Sequence, residues 1–232
     1  MSKRTLIAVA VTGAVVLAGT LIGASLLVSG GRANQNHPLS LAGVGATRAL
    51  LEGIPQHDNA LGRPAAPVTL IEYADLQCPY CANFAVNDLP LLVRTYVRTG
   101  RMRIVFRGLA FIGPDSETAL RTALAAGSQG RFWHVVELLY ENQGVENSGW
   151  VTDDLLRRVG TAVPALSVER MLGGRYDASI DQARSAALAA AQQDGVNGTP
   201  FFSVGRTGGA VRPLASNDPR ALRAAIDALL SR

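Results

Sequence analysis

After a charge-free apolar run from Leu6 to Val28, the chain passes between short β-branched stretches and longer stretches of helical period. Val68 to Tyr73 reads Val-Thr-Leu-Ile-Glu-Tyr, the β-branched and aromatic composition of a central strand. Phe84, Val86, Leu89, Leu92, Val93, Tyr96 and Val97 then recur at helical spacing, with Pro90 expected to kink the helix and Gly100 closing it. Met102 to Phe106 predicts a second strand. Strand, helix and strand in this order form a βαβ unit, which implies a parallel pair joined by a right-handed crossover.

From Pro114 to Gln193 the period is helical throughout. Helices are expected over Glu117–Ala126 and Phe132–Tyr140, then one capped by Thr152 with Asp153 and Asp154 in its first turn. Ser167 caps a short helix ending at Gly173-Gly174, and the alanine-rich run Ser179–Gln193 makes the fifth. Strand character returns at Phe201–Val204 and, weakly, at Ala210–Leu214, with Gly208-Gly209 as a hairpin turn. Asp218-Pro219 caps a closing helix lined by Leu222, Ile226, Leu229 and Leu230. The expected architecture is a small mixed sheet with helices on both faces and an all-helical insertion.

The apolar run at the start is long enough, at about 1.5 Å per residue, to cross a hydrocarbon core. Lys3 and Arg4 before it favour an N-terminus held in the cytoplasm and export of the rest. A cleaved signal is the competing reading, with Gly31-Arg32-Ala33 as its site. The sequence therefore divides into a basic head (1–5), an anchor in the lipid bilayer (6–28) and a tether (29–52). A first half-fold (53–113), a helical insertion (114–194) and a second half-fold (195–232) follow. The net charge of +4 points to no nucleic-acid partner, because Lys3 is the sole lysine and the arginines are scattered.

Cys78 and Cys81, the only two cysteines, stand in Leu76-Gln77-Cys78-Pro79-Tyr80-Cys81. A loop that short gives little entropic stabilisation, so the spacing suits a reversible dithiol better than an inert staple. Zinc would need two further ligands from His37, His57 and His134, whose separations match no compact site. Set at the start of the helix, Cys78 meets unpaired amide hydrogens and the positive end of the dipole, which favour the thiolate. Pro79 suits the first helical turn. Cys81, one turn deeper, is the resolving thiol.

Glu72 sits inside the hydrophobic strand that delivers the dithiol. If buried there, its pKa rises and suits it to exchanging a proton with Cys81; an edge-strand glutamate with its head in water is the alternative. Val196-Asn197-Gly198-Thr199-Pro200-Phe201 is a turn in which a cis peptide at Pro200 fits, though the sequence does not fix the isomer. His134, beside Trp133 in an apolar helix, reads as a core histidine, and Phe132, Trp133 and Tyr140 as core or groove.

The run Ala66–Cys81, together with Val196–Phe202, resembles the thioredoxin superfamily in its DsbA-like branch, including membrane-anchored members of Gram-positive and actinobacterial cell envelopes. The resemblance implies a thioredoxin-like α/β fold with a helical domain inserted between its halves. It implies Cys78 as exposed nucleophile, Cys81 as resolving cysteine and Glu72 as buried carboxylate. Thr199-Pro200 would be the cis-proline loop that pairs with an extended substrate beside Pro79 and Tyr80. Where strongly oxidising enterobacterial members carry histidine, this chain has the neutral Tyr80, which points to a weaker oxidant; the dipeptide Pro79-Tyr80 also resembles glutaredoxins, more reducing as a class.

The expected protein is thus a tethered extracytoplasmic thiol–disulfide oxidoreductase that oxidises exported polypeptides with free thiols. A DsbB- or VKOR-like membrane protein would reoxidise it, and no metal or organic cofactor is implied. An isomerase or reductase of the same fold, and a non-redox tethered chaperone or scaffold, are the alternatives.

Overall fold

A computed structural model describes residues 40–231, so the expected anchor 6–28 and His37 lie outside the described residues. No helix among the described residues is long and apolar enough to cross a membrane. The tether expected over 29–52 does not extend to its end, since Val44–Leu51 forms a helix, α1. Its buried Thr47 and Leu51 give it a face to pack with. The guanidinium of Arg98 donates to the carbonyls of Ala49, Leu50 and Glu52, satisfying the orphan acceptors at its C-terminal end.

The lead-in resolves into a two-residue hairpin, β1 (Gln56–His57) and β2 (Ala60–Leu61). The central strand β3 (Val68–Ala74) is buried along its whole length. A helical run follows in four pieces: α2 (Pro79–Asn83), a π turn (Phe84–Asp88), α3 (Leu89–Leu92) and a second π turn (Val93–Val97). Pro90, where the sequence places a kink, sits at the start of α3, directly after Leu89 N–H bonds to Phe84 O across the wider π turn. A proline lacks a donor and crowds the carbonyl four residues back, and an i→i−5 turn just before it relieves that crowding.

Strand β4 (Met102–Gly108) pairs in parallel with β3, the βαβ unit read from the sequence. The insertion holds α4 (Pro114–Gly127), α5 (Phe132–Glu141), α6 (Asp153–Ala162), α7 (Val168–Gly173), a 3₁₀ turn (Gly174–Tyr176) and α8 (Ala178–Gln193). Thr152 and Ser167 cap α6 and α7 by accepting from Leu155 N–H and Arg170 N–H. The chain then returns to the sheet as β5 (Phe201–Arg206) and β6 (Val211–Pro213), and closes with α9 (Pro219–Leu230).

The six strands lie in the order β1-β2-β4-β3-β5-β6, with every pair except β3–β4 antiparallel. Alternation along β3 splits the core. Leu70 and Ala74 face a large cluster that includes Cys81, Phe84, Phe106, Trp133 and Phe202. Ile71 and Tyr73 face a smaller one with Leu109 and Ala191, beneath α8. Phe132, Trp133 and Tyr140 are core residues of the larger cluster.

Candidate active site

Strand β3 ends at Ala74, and the turn to the dithiol is built on the next side chain, Asp75. Asp75 is fully buried. One carboxylate oxygen accepts from Gln77 N–H (2.9 Å) and Ser116 Oγ–H (2.5 Å), the other from Phe111 N–H and Ile112 N–H. Four donors on one buried carboxylate compensate its lost hydration. The helical insertion holds the same turn from the other side. Tyr140 Oη donates to Asp75 O (3.2 Å), Gln143 Nε2 to Leu76 O (2.9 Å), and Gln77 pairs with Ser116 and Asn147.

Cys78 is the N-cap of α2, with φ −70° and ψ 119°, and Pro79 takes the first helical position. The two sulfurs are buried and not bonded to each other. The Cys78 thiol donates to Thr199 O at 3.3 Å. Its pKa falls to about 6, chiefly because the Cys81 side chain hydrogen-bonds the thiolate, against opposing desolvation; the Thr199 side chain and the amides of Cys81 and Tyr80 add to the lowering. Cys81 moves the opposite way, raised by burial and by the adjacent Cys78. The Thr199–Pro200 bond is cis. Asn217 Nδ2 donates to Pro200 O (2.5 Å), fixing this loop to the segment that leads into α9.

Cys78, Cys81, Pro79, Tyr80, Thr199 and Pro200 therefore converge as the sequence predicted, in one respect more tightly. Cys78 was expected to be exposed, yet the residue is only 5% accessible because the Thr199 loop lies over it. Tyr80 beside it is 75% accessible. A groove of about 480 Å³ adjoins this loop, with Leu109, Phe111, Leu120, Leu188 and Val196 in its walls and Gly198 at its end. Phe111 and Leu188 present apolar surface there.

Glu72 occupies a central strand, between Phe106 of β4 and Phe202 of β5, and is 2% accessible. The edge-strand reading is thereby excluded. Desolvation pushes its pKa up to about 8. It shares the β3 face of Leu70 and Ala74, on the side of the cluster that contains Cys81. His134 has no place in the site: it hydrogen-bonds Gln56 Nε2 at 3.0 Å, and burial, then Arg131, lowers its pKa to about 4.

Several residues that shape the site carried no signal in the sequence. Gln143, Asn147 and Asn217 act through tertiary hydrogen bonds across long sequence separations. Asp75 with Gln77 is the exception. An Asp two residues ahead of an amide is a local turn pattern, readable in principle.

A thioredoxin family profile matches residues 56–228. A probable disulfide bond formation protein D of Bacillus cereus is 31% identical over 171 residues, 72% of this chain and 76% of the relative. Among solved structures, oxidised BdbD of Bacillus subtilis superposes with a TM-score of 0.67 at 20% identity, covering 77% of this chain and 98% of that one. The α-DsbA1 of Wolbachia pipientis gives 0.64 at 22% identity, covering 75% and 91%. At those identities the structures establish a shared fold, and the helical insertion is part of it.

Proposed function

The chain belongs to the thioredoxin family, in its DsbA-like branch, and from that premise we propose that it oxidises thiols of exported polypeptides through a Cys78–Cys81 disulfide. The observation that carries this reading is the opposed pair of sulfurs. Cys78 is a ready thiolate at a helix start, and Cys81 is a buried thiol that holds its proton.

In the oxidised protein a client thiolate attacks Cys78 Sγ, the S–S bond to Cys81 breaks, and a client–Cys78 mixed disulfide forms. Cys81 departs as a thiolate and takes up a proton. A second client thiolate then attacks the client's own sulfur in the mixed disulfide, leaving the client oxidised and Cys78 a thiolate. The low Cys78 pKa makes that sulfur a good leaving group in this second step. The Thr199-Pro200 loop, with Pro79 and Tyr80, offers backbone and apolar surface to an extended client, a mode of pairing that demands no fixed side chain. Glu72, neutral when its pKa is near 8, supplies the proton to Cys81.

Reoxidation is assigned to a DsbB- or VKOR-like membrane partner, and the domain to the extracytoplasmic side, where disulfides persist. The second reading is a reductase or isomerase, favoured by one residue: the neutral Tyr80 supplies no cation beside the thiolate. The reduction potential of the pair in a glutathione buffer decides between them. Above about −180 mV the oxidase reading stands, and below about −230 mV it gives way to the reductase. Cys81→Ser should accumulate client–Cys78 mixed disulfides; their absence on exposure to thiol-reactive client peptides would remove the exchange mechanism.

A further inference from the structure

We propose that Glu137 passes protons between Glu72 and bulk water, so that two buried carboxylates in series serve the sulfur of Cys81. This rests on the reading of Glu72 given above. Glu137 lies on α5 within the apolar sequence Val-Val-Glu-Leu-Leu and is 4% accessible. Its Oε1 is buried without a hydrogen-bond partner. An unpartnered carboxyl oxygen in a core is costly, and nothing in the packing of α5 requires one.

The placement of the two acids differs in one decisive way. Glu137 lines a cavity of about 560 Å³ bounded by α1, the helical run 79–97 and α5, while Glu72 does not. Arg94 and Arg98 face that cavity from the helical run, Glu52 from the end of α1, and Glu141 from one turn along α5. Glu72 approaches from β3, and its charge, after burial and ahead of that of Glu141, helps raise Glu137 well above the ordinary carboxylate range. Tyr140, on the same helix, senses the charges of both Cys81 and Glu72, which places all three within one electrostatic neighbourhood. Burial and the Glu72 charge both favour the protonated form of Glu137, and the residue lines the cavity.

The proton balance closes without any further reagent. When the Cys78–Cys81 bond breaks, the Cys81 thiolate takes the proton of Glu72 and leaves a carboxylate. Glu137 passes its own proton to that carboxylate and is itself reprotonated by water in the cavity. When the dithiol is reoxidised, the same proton leaves by the reverse route. Glu72 is 2% accessible and does not line that cavity, so such a link gives its proton a path to water.

The test uses the full chain, following the single-turnover reduction of the Cys78–Cys81 disulfide by dithiothreitol at fixed pH. The variables are the Glu137 side chain and the concentration of a small buffer acid such as imidazole. Glu137→Gln, nearly isosteric, should slow the reaction about ten-fold, less than the roughly 10²–10⁴-fold of a direct general acid because Glu137 acts through Glu72. Added imidazole should restore the rate, whereas the wild-type rate is independent of buffer. Glu137→Asp, which keeps the carboxyl, should recover part of the buffer-independent rate. A Glu137→Gln rate equal to wild type, or a slow rate that buffer does not restore, overturns the relay. Glu72→Gln separates the two levels. If it leaves the pH profile unmoved, the Glu72 assignment falls; if it moves the profile while Glu137→Gln behaves as wild type, only the relay falls.

Discussion

The Thr199 carbonyl lies 3.3 Å from Cys78 Sγ, so the two halves of the thioredoxin fold meet on a single sulfur. Between the two residues in sequence lie the helical run 79–97, β4 and the helical insertion. The Cys78 thiolate is held by groups from both halves, its own helix start and the opposing loop.

Cys78 should react with iodoacetamide along a titration curve centred near pH 6, while Cys81 stays unmodified in the native state. Alkylation rates followed by mass spectrometry between pH 4 and 9 (on the order of the whole carboxylate-to-thiol range) read this directly. A midpoint near the free-cysteine value would contradict the proposed stabilisation of the thiolate.

Glu72 sets a pH dependence of stability whose sign follows from its raised pKa. The folded state retains a proton, up to about pH 8, that the unfolded state loses near the ordinary carboxylate value of 4.5. Its contribution is fully present below pH 4.5 and is lost progressively as pH rises to about 8. Glu72→Gln should therefore raise the melting temperature at pH 7.5 and leave it nearly unchanged at pH 4. At about 1.4 kcal/mol per unit the gain is on the order of a few kcal/mol. Equal gains at both pH values would exclude a buried, protonated Glu72.

Tyr80→His places a titratable cation next to Cys78 at a position that is already 75% accessible. The reduced form should gain stability, raising the reduction potential by about 30 mV or more, equivalent to roughly 1.4 kcal/mol. The shift should fade above the histidine pKa. An unchanged potential at pH 6 would mean that the Tyr80 position does not tune the pair.

Asn217→Ala removes the donor to Pro200 O. The expected loss is about 1 kcal/mol of stability, with a larger fractional loss of mixed-disulfide trapping because the loop is no longer fixed. Equal yields of trapped client from both proteins would show that the loop is positioned by other contacts.

Gly108→Ala tests how closely α4 seats on the sheet. An added Cβ would lie 2.1 Å from Leu120 Cδ1, so Leu120 must shift in a packed interior. A loss of about 1–3 kcal/mol in urea unfolding is expected, and Leu120→Ala in the same background should recover part of it.

Much of this organisation was legible in the chain. The strand β3, the parallel partner β4, the caps Thr152 and Ser167, and the Gly208 hairpin all follow from local composition, and the structure has each of them. The dithiol and Thr199-Pro200 were recognisable because their chemistry is carried by residue type and order. What stayed hidden depends on tertiary contact. Helix α1 is short, and its docking depends on Arg98, far along the chain. Glu137 resembles any glutamate on an amphipathic helix until the side it faces is known. The burial of Cys78 follows from a loop more than a hundred residues away, which the Cys78–Cys81 spacing cannot report.

The two π turns after the dithiol bear on how deep Cys81 sits. Cys81, Ala85, Leu89, Val93 and Val97 are all buried and recur every fourth residue. At 3.6 residues per turn such a row precesses by about 40° at each step and would wind out of the sheet-facing side before its end. Wider i→i−5 turns slow that rotation and hold the row nearly straight. Excising a single residue between Phe84 and Asp88 would swing Leu89 and all that follows by about 100°. The resolving sulfur's inaccessibility is thus a property of the winding of the whole segment, felt four turns from where the chemistry occurs.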